Sequence, residues 1–395
     1  MKILILAPHP FFQNRGTPIA LRMLLETLAG DGHDLTAMVY PEGEEIDIPN
    51  CRILRVRRPP LVREIPPGFS WKKLACDAVM FRMAGRLLRH ESFDLIHAGE
   101  ESVFMARYFS KRMGIPYVYD MDSSLPEQLC EKMTFLAPLL PRLQKFEKQA
   151  VADSLGVIAV CRYLEELARS YSNEIDVQRL EDISLLSTDI SEEKRRETDL
   201  KLARNTVNFM YVGNLEEYQG IDLLLSAFSL ACLELDNIRL VIIGGSKATM
   251  LRYRKKAKTL GIAKNVLFAG PKPVDDLACY LTQADVLVSP RIKGYNTPMK
   301  IYSYLDSGRP VLATRLQTHT QVLDDSIACL SEAEESAMAA AVIRLAGDAQ
   351  LRKQLAESAR ERVAAEYNRK TFNTKLRSFY ARIEQKIGHT QQVNE

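Results

Sequence analysis

The hydrophobic positions of the chain follow two patterns, continuous apolar runs and longer stretches with apolar residues at helical spacing. Continuous runs are typical of strands buried on both faces of a parallel sheet. The pattern predicts strands at residues 2–7, 34–40, 52–56, 93–99, 117–119 and 155–160, and again at 207–212, 238–243, 266–269, 284–290 and 309–314. Because helical patterns separate most of these runs, we predict the α/β fold class for both halves of the chain.

The length of the chain and one charged stretch predict two domains. A chain of 395 residues exceeds what a single hydrophobic core usually holds. Residues 187–204 are charged and lack periodic apolar positions, which is typical of a domain boundary. We therefore expect a first domain at 1–185, a linker at 186–205, a second domain at 206–367 and a separate final helix at 368–395.

The composition argues against several classes of protein. A net charge of +3 is too small to indicate a nucleic-acid-binding protein. The seven cysteines are scattered without a CxxC or Cys/His cluster, which favours reduced core residues and no metal site. The run at 2–7 is too short for a signal peptide, and no run of about 18 apolar residues follows. We therefore expect a cytoplasmic protein with no membrane span.

Residues 51–90 form a basic segment that has two interpretations. The segment contains ten lysines and arginines against two acidic residues, interleaved with apolar side chains and the only tryptophan, Trp71. A basic amphipathic segment can lie on an anionic membrane surface. A helix packed on the sheet with a solvated basic face has the same pattern. The sequence does not choose between the two.

The stretch at 291–311 carries the clearest candidate chemistry. It follows an apolar run, and Thr297-Pro298 predicts the N-cap and first position of a helix. Unpaired N–H groups at the start of a helix attract anions. Full positive charges are added there by Arg291, Lys293 and Lys300. We predict a site for an anion such as a diphosphate; the alternative is an ordinary strand-loop-helix unit with solvated basic residues.

A similar order of strand, loop and Thr-Pro occurs near the start of the chain. Thr17-Pro18 predicts the N-cap and first position of a helix whose apolar pattern spans 19–29. Gly16 has no Cβ, so a ligand can approach its backbone, and ligands of open α/β sheets bind where such loops gather. A turn glycine required only for backbone geometry is the alternative interpretation.

Two carboxylates, Asp120 and Asp122, follow the strand at 117–119. At positions i and i+2 they point the same way if the strand continues, so one of them can face a pocket. Aspartate and serine at such a position also cap helices, and Asp122 or Ser124 can cap a helix near 126–132. Asp122 is therefore a catalytic candidate with capping as the alternative.

A series of motifs runs through the second half in a fixed order. They are Gly213-Asn214-Leu215, Gly220-Ile221-Asp222 with the apolar run at 223–228, Gly244-Gly245, the strand and glycine at 266–270, Ala284-Asp285-Val286, and the stretch 300–313. Together with the glycine-containing loop after the first strand, this series resembles glycosyltransferase family 4. The resemblance covers essentially the whole chain.

The resemblance implies the GT-B architecture, in which two Rossmann-like domains face each other across a cleft and the final helix returns to the first domain. It implies a nucleotide-sugar donor on the second domain, a glycan or lipid-linked acceptor on the first, and retention of anomeric configuration without a metal or other cofactor. It is consistent with a role in cell-envelope polysaccharide synthesis at the inner face of a membrane.

The motifs and the resemblance together give the candidate site residues. Asp122 is the catalytic candidate, placed where the family commonly has a histidine. The donor-binding candidates are Gly16, Thr17, Gly213, Asn214, Gln219, Arg291, Asn296, Thr297, Lys300, Tyr302 and His319.

Several positions depart from the family pattern, which marks a divergent subgroup. The two acidic positions of the family's nine-residue motif fall on Tyr295 and Ser303, and the Arg and Lys that clamp the diphosphate fall on Asn214 and Gln219. The cations of the 291–300 stretch can supply the missing charge, because transfer requires stabilisation of a departing diphosphate. A non-catalytic sugar-nucleotide-binding or partner protein is the main alternative, and a sugar-nucleotide epimerase is a further one.

Overall fold

A computed structural model describes residues 1–13, 16–65, 70–186, 200, 202 and 205–393, except for the side chains at 131, 132, 134, 136 and 390–393. The chain divides into two compact units. The first comprises Met1–Glu181 and Phe372–Glu395, and the second comprises Asp182–Thr371. Most of the predicted linker at 186–205 lies outside the described residues.

The first unit contains a seven-stranded sheet whose strands pair in parallel. The strands are β1 Lys2–Ala7, β2 Asp34–Val39, β3 Cys51–Arg55, β4 Leu95–Gly99, β5 Tyr117–Met121, β6 Gly156–Ala159 and β7 Val177–Arg179. The spatial order is β3-β2-β1-β4-β5-β6-β7, so the direction of winding reverses between β1 and β4. Ile3 to Leu6 of β1, an interior strand, are fully buried, which explains their continuous apolar run.

Helices connect these strands, and most of them bury apolar residues at helical spacing. Those described along the chain are α1 Gly16–Gly30, α2 Trp71–His90, α3 Val103–Met113, α4 Leu125–Lys132, α5 Leu140–Ala152 and α6 Arg162–Tyr171. In α1, for example, Leu21, Leu24, Leu25 and Leu28 are buried at intervals of one, three and four residues.

The second unit repeats the plan with a six-stranded parallel sheet in the described residues. Its strands are β8 Val207–Val212, β9 Ile238–Ile243, β10 Val266–Gly270, β11 Val286–Ser289, β12 Val311–Thr314 and β13 Cys329–Ser331. The order is β10-β9-β8-β11-β12-β13, so the switch point of this sheet lies between β8 and β11. The helices are α7 Ile221–Glu234, α8 Lys247–Thr259, α9 Leu277–Leu281, α10 Lys300–Asp306, α11 Gln317–Thr320, α12 Glu335–Gly347 and α13 Ala349–Glu366.

The last helix, α14 Arg369–Val393, belongs from Phe372 onward to the first unit. Phe379 and Tyr380 of this helix are buried, and the Tyr380 hydroxyl lies 2.8 Å from His97 Nδ1 on β4. Arg382 adds an ion pair of 2.8 Å to Asp176. The predicted fold class, two Rossmann-like α/β units with a final helix on the first, is confirmed.

The basic helix α2 packs its apolar face on the first sheet. Cys76, Met80, Ala84 and Leu88 are buried at intervals of four residues. The exposed residues of the helix include Trp71, Leu74, Arg82, Arg86 and Arg89. Most of the described apolar residues of this segment therefore pack in the protein core. The basic face remains exposed and could contact a membrane or another partner.

Two predicted helix caps are wrong in detail. Helix α1 already includes Gly16 and Thr17, and α10 begins at Lys300 with Met299 as its N-cap residue. Thr297 Oγ1 is buried and makes no hydrogen bond with a described residue, whereas a cap would accept one from the first turn. A proline is tolerated throughout the first turn and in the turn before it, so a Thr-Pro pair marks a helix start only approximately.

The structure also gives the state of the cysteines and the character of the helices. The seven cysteines are all free thiols, and Cys76, Cys161, Cys279 and Cys329 are buried. Among the described residues, no helix combines the length and the apolar character that crossing a bilayer requires.

Candidate functional site

A cavity of about 360 Å³ opens in the second unit at the carboxyl ends of β8, β9 and β10. These three strands are neighbours in the sheet, and ligands of open parallel sheets bind at this edge. The loops after the strands line the cavity with Val212, Gly213, Asn214, Leu215, Glu216, Ile243, Gly244, Gly245, Ser246, Thr249, Pro271 and Lys272.

Gly244 allows the loops after β8 and β9 to touch. Its φ is +110°, and a Cβ at this position would lie 2.1 Å from the carbonyl oxygen of Gly213. Only glycine fits such a contact. Part of the cavity wall is therefore bare backbone, which a flat or anionic ligand can approach closely. A Gly-Gly pair after a strand is weak evidence in a sequence, but here the pair lines a cavity.

Lys300, the first residue of α10, lies against this wall. Its Nζ is 3.0 Å from Gln219 Oε1 and 4.1 Å from the centre of the Tyr211 ring. A Cβ built on Gly213 would lie 3.4 Å from the same Nζ. Burial and, second, the charge of Arg291 hold the pKa of Lys300 well below its ordinary value. The ammonium group thus has an amide and an aromatic face as neighbours at the edge of the cavity.

Close contact between the loops after β8 and β11 brings Gln219 to Lys300. Gly220 has φ +73°, and a Cβ there would lie 1.9 Å from the carbonyl oxygen of Pro290. The Ile292 amide also donates to the Tyr218 carbonyl at 2.9 Å. The two loops flank the switch point of the sheet, where ligands of doubly wound folds bind.

Asn214 closes the turn that follows β8. The Tyr211 hydroxyl donates to the Asn214 carbonyl at 2.5 Å, and Asn214 Nδ2 donates to the Tyr218 hydroxyl at 3.4 Å. Asn214 Oδ1 accepts from the Glu216 amide, also at 3.4 Å. The side chain of Asn214 therefore fixes its own loop with both of its polar atoms.

The guanidinium of Arg291 organises the loop after β11. Nε donates to the Lys293 carbonyl at 2.7 Å and Nη1 to the Asn296 carbonyl at 3.2 Å, and the group stacks 5.2 Å from the Tyr218 ring centre. Thr318 Oγ1 donates to the same Asn296 carbonyl at 2.8 Å. The basic loop is thus a folded structure held by its own arginine.

His319 of α11 is buried behind this loop. Ser289 Oγ lies 2.9 Å from Nε2, and Thr314 Oγ1 lies 3.0 Å from Nδ1. Because Thr314 Oγ1 donates to the Arg291 carbonyl at 2.5 Å, the ring must donate from Nδ1 and accept at Nε2. Burial lowers the pKa of His319 to about 3, with the charges of Lys300 and Arg291 adding to the effect and the Thr314 carbonyl opposing it. His319 is neutral and holds Arg291 through Thr314.

Other predicted residues of the second unit also lie below the surface. Tyr302 is 1% exposed and packs on Tyr367 with ring centres 5.1 Å apart, and Thr297 is 6% exposed. Ser303, at a position where the family has an acid, is fully buried and its Oγ accepts from the Leu185 amide at 3.0 Å. Gly213 and Asn214 therefore line the cavity, and Lys300 and Gln219 lie next to Gly213. The remaining candidates of the second unit lie in the loop after β11 or are buried behind it.

The predicted residues of the first unit follow β1 and β5. Gly16 and Thr17 lie in the first turn of α1, which comes after β1, and Asp122 comes directly after β5. Asp122 is partly exposed. Its neighbour Asp120 lies 3.2 Å from His97 Nε2, an ion pair whenever that histidine is protonated.

The sequence reasoning missed a charged cluster in the first unit. Lys73 of α2 is buried, and its Nζ lies 3.2 Å from Glu100 Oε2 and 2.7 Å from Glu101 Oε1. Both glutamates follow β4, at the switch point of that sheet. Adjacent acids at the end of a strand are a signal that a search for such pairs would have found. Within the described residues, no group of three or more His, Cys, Asp or Glu side chains is arranged to hold a metal ion.

Both halves of the chain match models of glycosyltransferase domains. Residues 191–362 match glycosyl transferases group 1, and residues 15–180 match the glycosyl transferase 4-like domain. D-inositol 3-phosphate glycosyltransferase of Corynebacterium glutamicum strain R is 28% identical over 186 residues, which are 43% of each protein. The match therefore takes in less than half the length of that relative. Phosphatidyl-myo-inositol mannosyltransferase of Mycolicibacterium smegmatis is 22% identical over 92% of this chain and 89% of that protein.

Solved structures share the fold along nearly the whole chain. Sucrose-phosphate synthase from Thermosynechococcus elongatus superposes with a TM-score of 0.79 at 19% identity, covering 97% of this chain and 99% of the other. Anabaena HepE, crystallised with UDP, superposes with a TM-score of 0.72 at 14% identity, covering 96% of this chain and 100% of the other. These likenesses establish a protein of the GT-B fold class. Within that class, the chain belongs to glycosyltransferase family 4, because its two halves match the two domain models.

Proposed function

We propose that this protein transfers a sugar from a nucleoside-diphosphate donor to a hydroxyl acceptor with retention of configuration. The second unit holds the donor, with the diphosphate beside Gly213 and Lys300 and the nucleoside along the cavity toward β10. The observation that carries this proposal is the half-buried amino group of Lys300, which lies 3.0 Å from a neutral amide and next to Gly213 in the wall of the cavity.

The chemistry requires charge stabilisation more than a strong nucleophile. In transfer, the bond between the anomeric carbon and the diphosphate oxygen breaks. The acceptor hydroxyl forms the new bond on the same face, and its proton passes to the departing diphosphate oxygen. Lys300 stabilises the departing diphosphate, a charge-assisted role that is strongest in a buried site. No metal ion or other cofactor is required in this scheme.

The remaining candidates act in three ways. Asn214 and Gln219 position the loop and the lysine, whereas Arg291, Asn296 and Thr297 form the folded loop beside the donor. Tyr302 and His319 support that loop from below, as their burial favours. Gly16 has no Cβ, so the donor can contact the backbone of Gly16 and Thr17 in the first turn of α1. Asp122 orients the acceptor hydroxyl or stabilises positive charge at the anomeric carbon.

The acceptor we propose is a glycan or a lipid-linked glycan of the cell envelope, met at the cytoplasmic face of a membrane. The support is the exposed stripe of α2, where Trp71 and Leu74 precede Arg82, Arg86 and Arg89 on one face. Arginines attract anionic headgroups, and tryptophan is favoured at membrane interfaces. The relatives named above act on inositol phosphates or phosphatidylinositol by their names, so these compounds are the first acceptors to test.

The deciding experiment measures donor use directly. Purified protein is incubated with UDP-, GDP- and ADP-sugars, with and without candidate acceptors and with EDTA, and release of nucleoside diphosphate is followed together with thermal stabilisation. We expect one nucleotide to stabilise the fold and its sugar to be consumed in the presence of EDTA. Stabilisation without turnover would favour the non-catalytic binding protein, and neither effect would refute both.

A further inference from the structure

One acidic residue lines the cavity of the second unit and has no evident structural task. Among the residues that line the cavity, Glu216 is the only acid. It is exposed, and its side chain makes no hydrogen bond or ion pair with any residue that the structure describes. It precedes the 3₁₀ turn Glu217–Gln219 at the N-cap position, yet its carboxylate does not cap that turn. The usual local role of an acid at this position is therefore absent.

The other polar side chains of the cavity are already engaged. Ser246 and Thr249 bond each other in the capping box of α8. Asn214 uses both polar atoms within its own loop. Lys272 lies 5.5 Å from the centre of the Tyr280 ring. Glu216 is thus the acceptor group that this cavity leaves available to a ligand.

The charges of the site restrict what that ligand group can be. The Lys300 ammonium lies beside Gly213, and a carboxylate two residues after Asn214 would repel a phosphate placed against it. A hydroxyl-bearing group next to the phosphates avoids this repulsion and can donate hydrogen bonds to the carboxylate. In dinucleotide-binding folds an acidic side chain holds the ribose hydroxyls in this way.

We propose that Glu216 accepts hydrogen bonds from the ribose hydroxyls of the donor nucleotide and so selects ribonucleotides. The dimensions agree, because three neighbouring strands span about 10 Å, enough for a diphosphate near β8, a ribose and a base toward β10. This inference rests on the proposed function. It also supplies a carboxylate to a site in which Ser303 is buried against main chain.

A thermodynamic cycle tests the inference with bare nucleotides, which carry no transferable sugar. UDP, GDP and ADP are first compared by calorimetry, and the tightest is then measured beside its 2′-deoxy analogue on wild type, Glu216→Gln and Glu217→Gln. Glu217 is the matched control, an exposed neighbouring acid outside the cavity lining. We expect wild type and Glu217→Gln to bind the deoxy analogue about tenfold more weakly, the size of a hydrogen bond to a charged group.

The variant gives the decisive comparison. Glu216→Gln should bind the ribonucleotide more weakly and lose most of the preference over the deoxy form. A preference that is unchanged in Glu216→Gln, or absent from wild type, overturns the inference while leaving the proposed function standing. An effect seen only with nucleotide sugars would assign Glu216 to the sugar and overturn the ribose assignment. Failure of every nucleoside diphosphate to bind wild type overturns the proposed function and this inference with it.

Discussion

The Nζ atom of Lys300 lies 3.0 Å from Gln219 Oε1 and 4.1 Å from the centre of the Tyr211 ring. No carboxylate of the described residues forms an ion pair with it. Desolvation therefore disfavours the charged form, and the lowered pKa of Lys300 expresses that cost. The resemblance to the family places a lysine at position 219, but this chain has glutamine there. Lys300 of α10 lies beside that glutamine, so it supplies a positive charge to the same part of the site from another helix.

Replacing Lys300 by methionine should weaken nucleoside-diphosphate binding by at least about 1.5 kcal/mol, roughly tenfold, because a charge-assisted contact is lost. The same change should stabilise the unliganded protein, since it removes an amino group whose charged form desolvation disfavours and which has no carboxylate partner among the described residues. Calorimetry and thermal unfolding measure the two effects. Lys293→Met, at an exposed position of the loop before α10, should change nucleotide affinity and thermal stability only slightly. Unchanged affinity in Lys300→Met would remove this lysine from the site.

Binding of a diphosphate should be accompanied by proton uptake at Lys300. In the free protein its pKa is low, and a bound anion raises it, so the ammonium form becomes favoured on binding. Affinity should consequently fall as pH rises above the free-state pKa. Titration calorimetry at pH 8.5 in buffers of different ionisation enthalpy gives the number of protons taken up. The number should be larger for wild type than for Lys300→Met; equal values would show that another group titrates.

His319 should make the second unit sensitive to acid. Its folded pKa is about 3 against 6.5 for a free histidine, so the unfolded chain binds more protons between these values. Stability therefore rises with pH through this window and is lost as pH falls from 6.5 toward 3. Urea unfolding at pH 7.5 and pH 5 should show a smaller loss for His319→Gln than for wild type, although the variant is less stable at both. An equal loss would place the acid sensitivity elsewhere.

Most of the sheet and helix pattern was predictable from the sequence because parallel strands are buried on both faces. Strands β1, β8 and β9 agree with their apolar runs residue for residue. The edge strands β7 and β13 were not predicted, since three residues give too short a run for a pattern. The caps at Thr17 and Thr297 were placed wrongly, because a Thr-Pro pair is compatible with several positions at a helix start.

The site was predictable in part, at the level of residue types but not of their contacts. The sequence singled out Lys300 and Gln219, and the structure adds that the two touch. It could not show that the Arg291 guanidinium binds carbonyls of its own loop, or that His319 is sealed below it, because both facts depend on tertiary packing. Glu216 carries no motif, and only the cavity distinguishes it from other exposed glutamates.

The exposed arginines of α2 should determine binding to anionic membranes. Charge reversal at Arg82, Arg86 and Arg89 should reduce flotation with vesicles containing phosphatidylglycerol, with little change for neutral vesicles or at high salt. These positions face solvent, so the fold should tolerate the change, whereas Lys73 is buried and unsuitable. Reversal of the exposed basic residues Arg254 and Lys255 on α8 is the matched control. Flotation that does not respond to the α2 charges would remove membrane contact from the proposal.

Lys73 should be essential to the stability of the first unit. Burial alone would lower its pKa, but Glu100 and Glu101 outweigh burial and raise it, so the ammonium stays charged between them. Replacing it by methionine leaves two partly buried acidic side chains without their cation, and breaking a buried pair costs up to about 3–5 kcal/mol. Arg86→Met, on the solvent face of the same helix, should cost much less.

A second change separates this charge effect from a packing defect. Burial and then the charge of Glu100 raise the pKa of Glu101 to about 8, so Glu101 is largely protonated at pH 6, and Glu101→Gln resembles that form. Because the folded chain holds the extra proton between pH 4.5 and about 8, wild-type stability should fall as pH rises through that window, and less so in Glu101→Gln. In urea unfolding at pH 6 and 8.5, the double variant Lys73→Met/Glu101→Gln should recover part of the stability lost in Lys73→Met. Recovery that is absent at both values would mean that Lys73 stabilises the unit through the packing of its aliphatic stem rather than through the two glutamates.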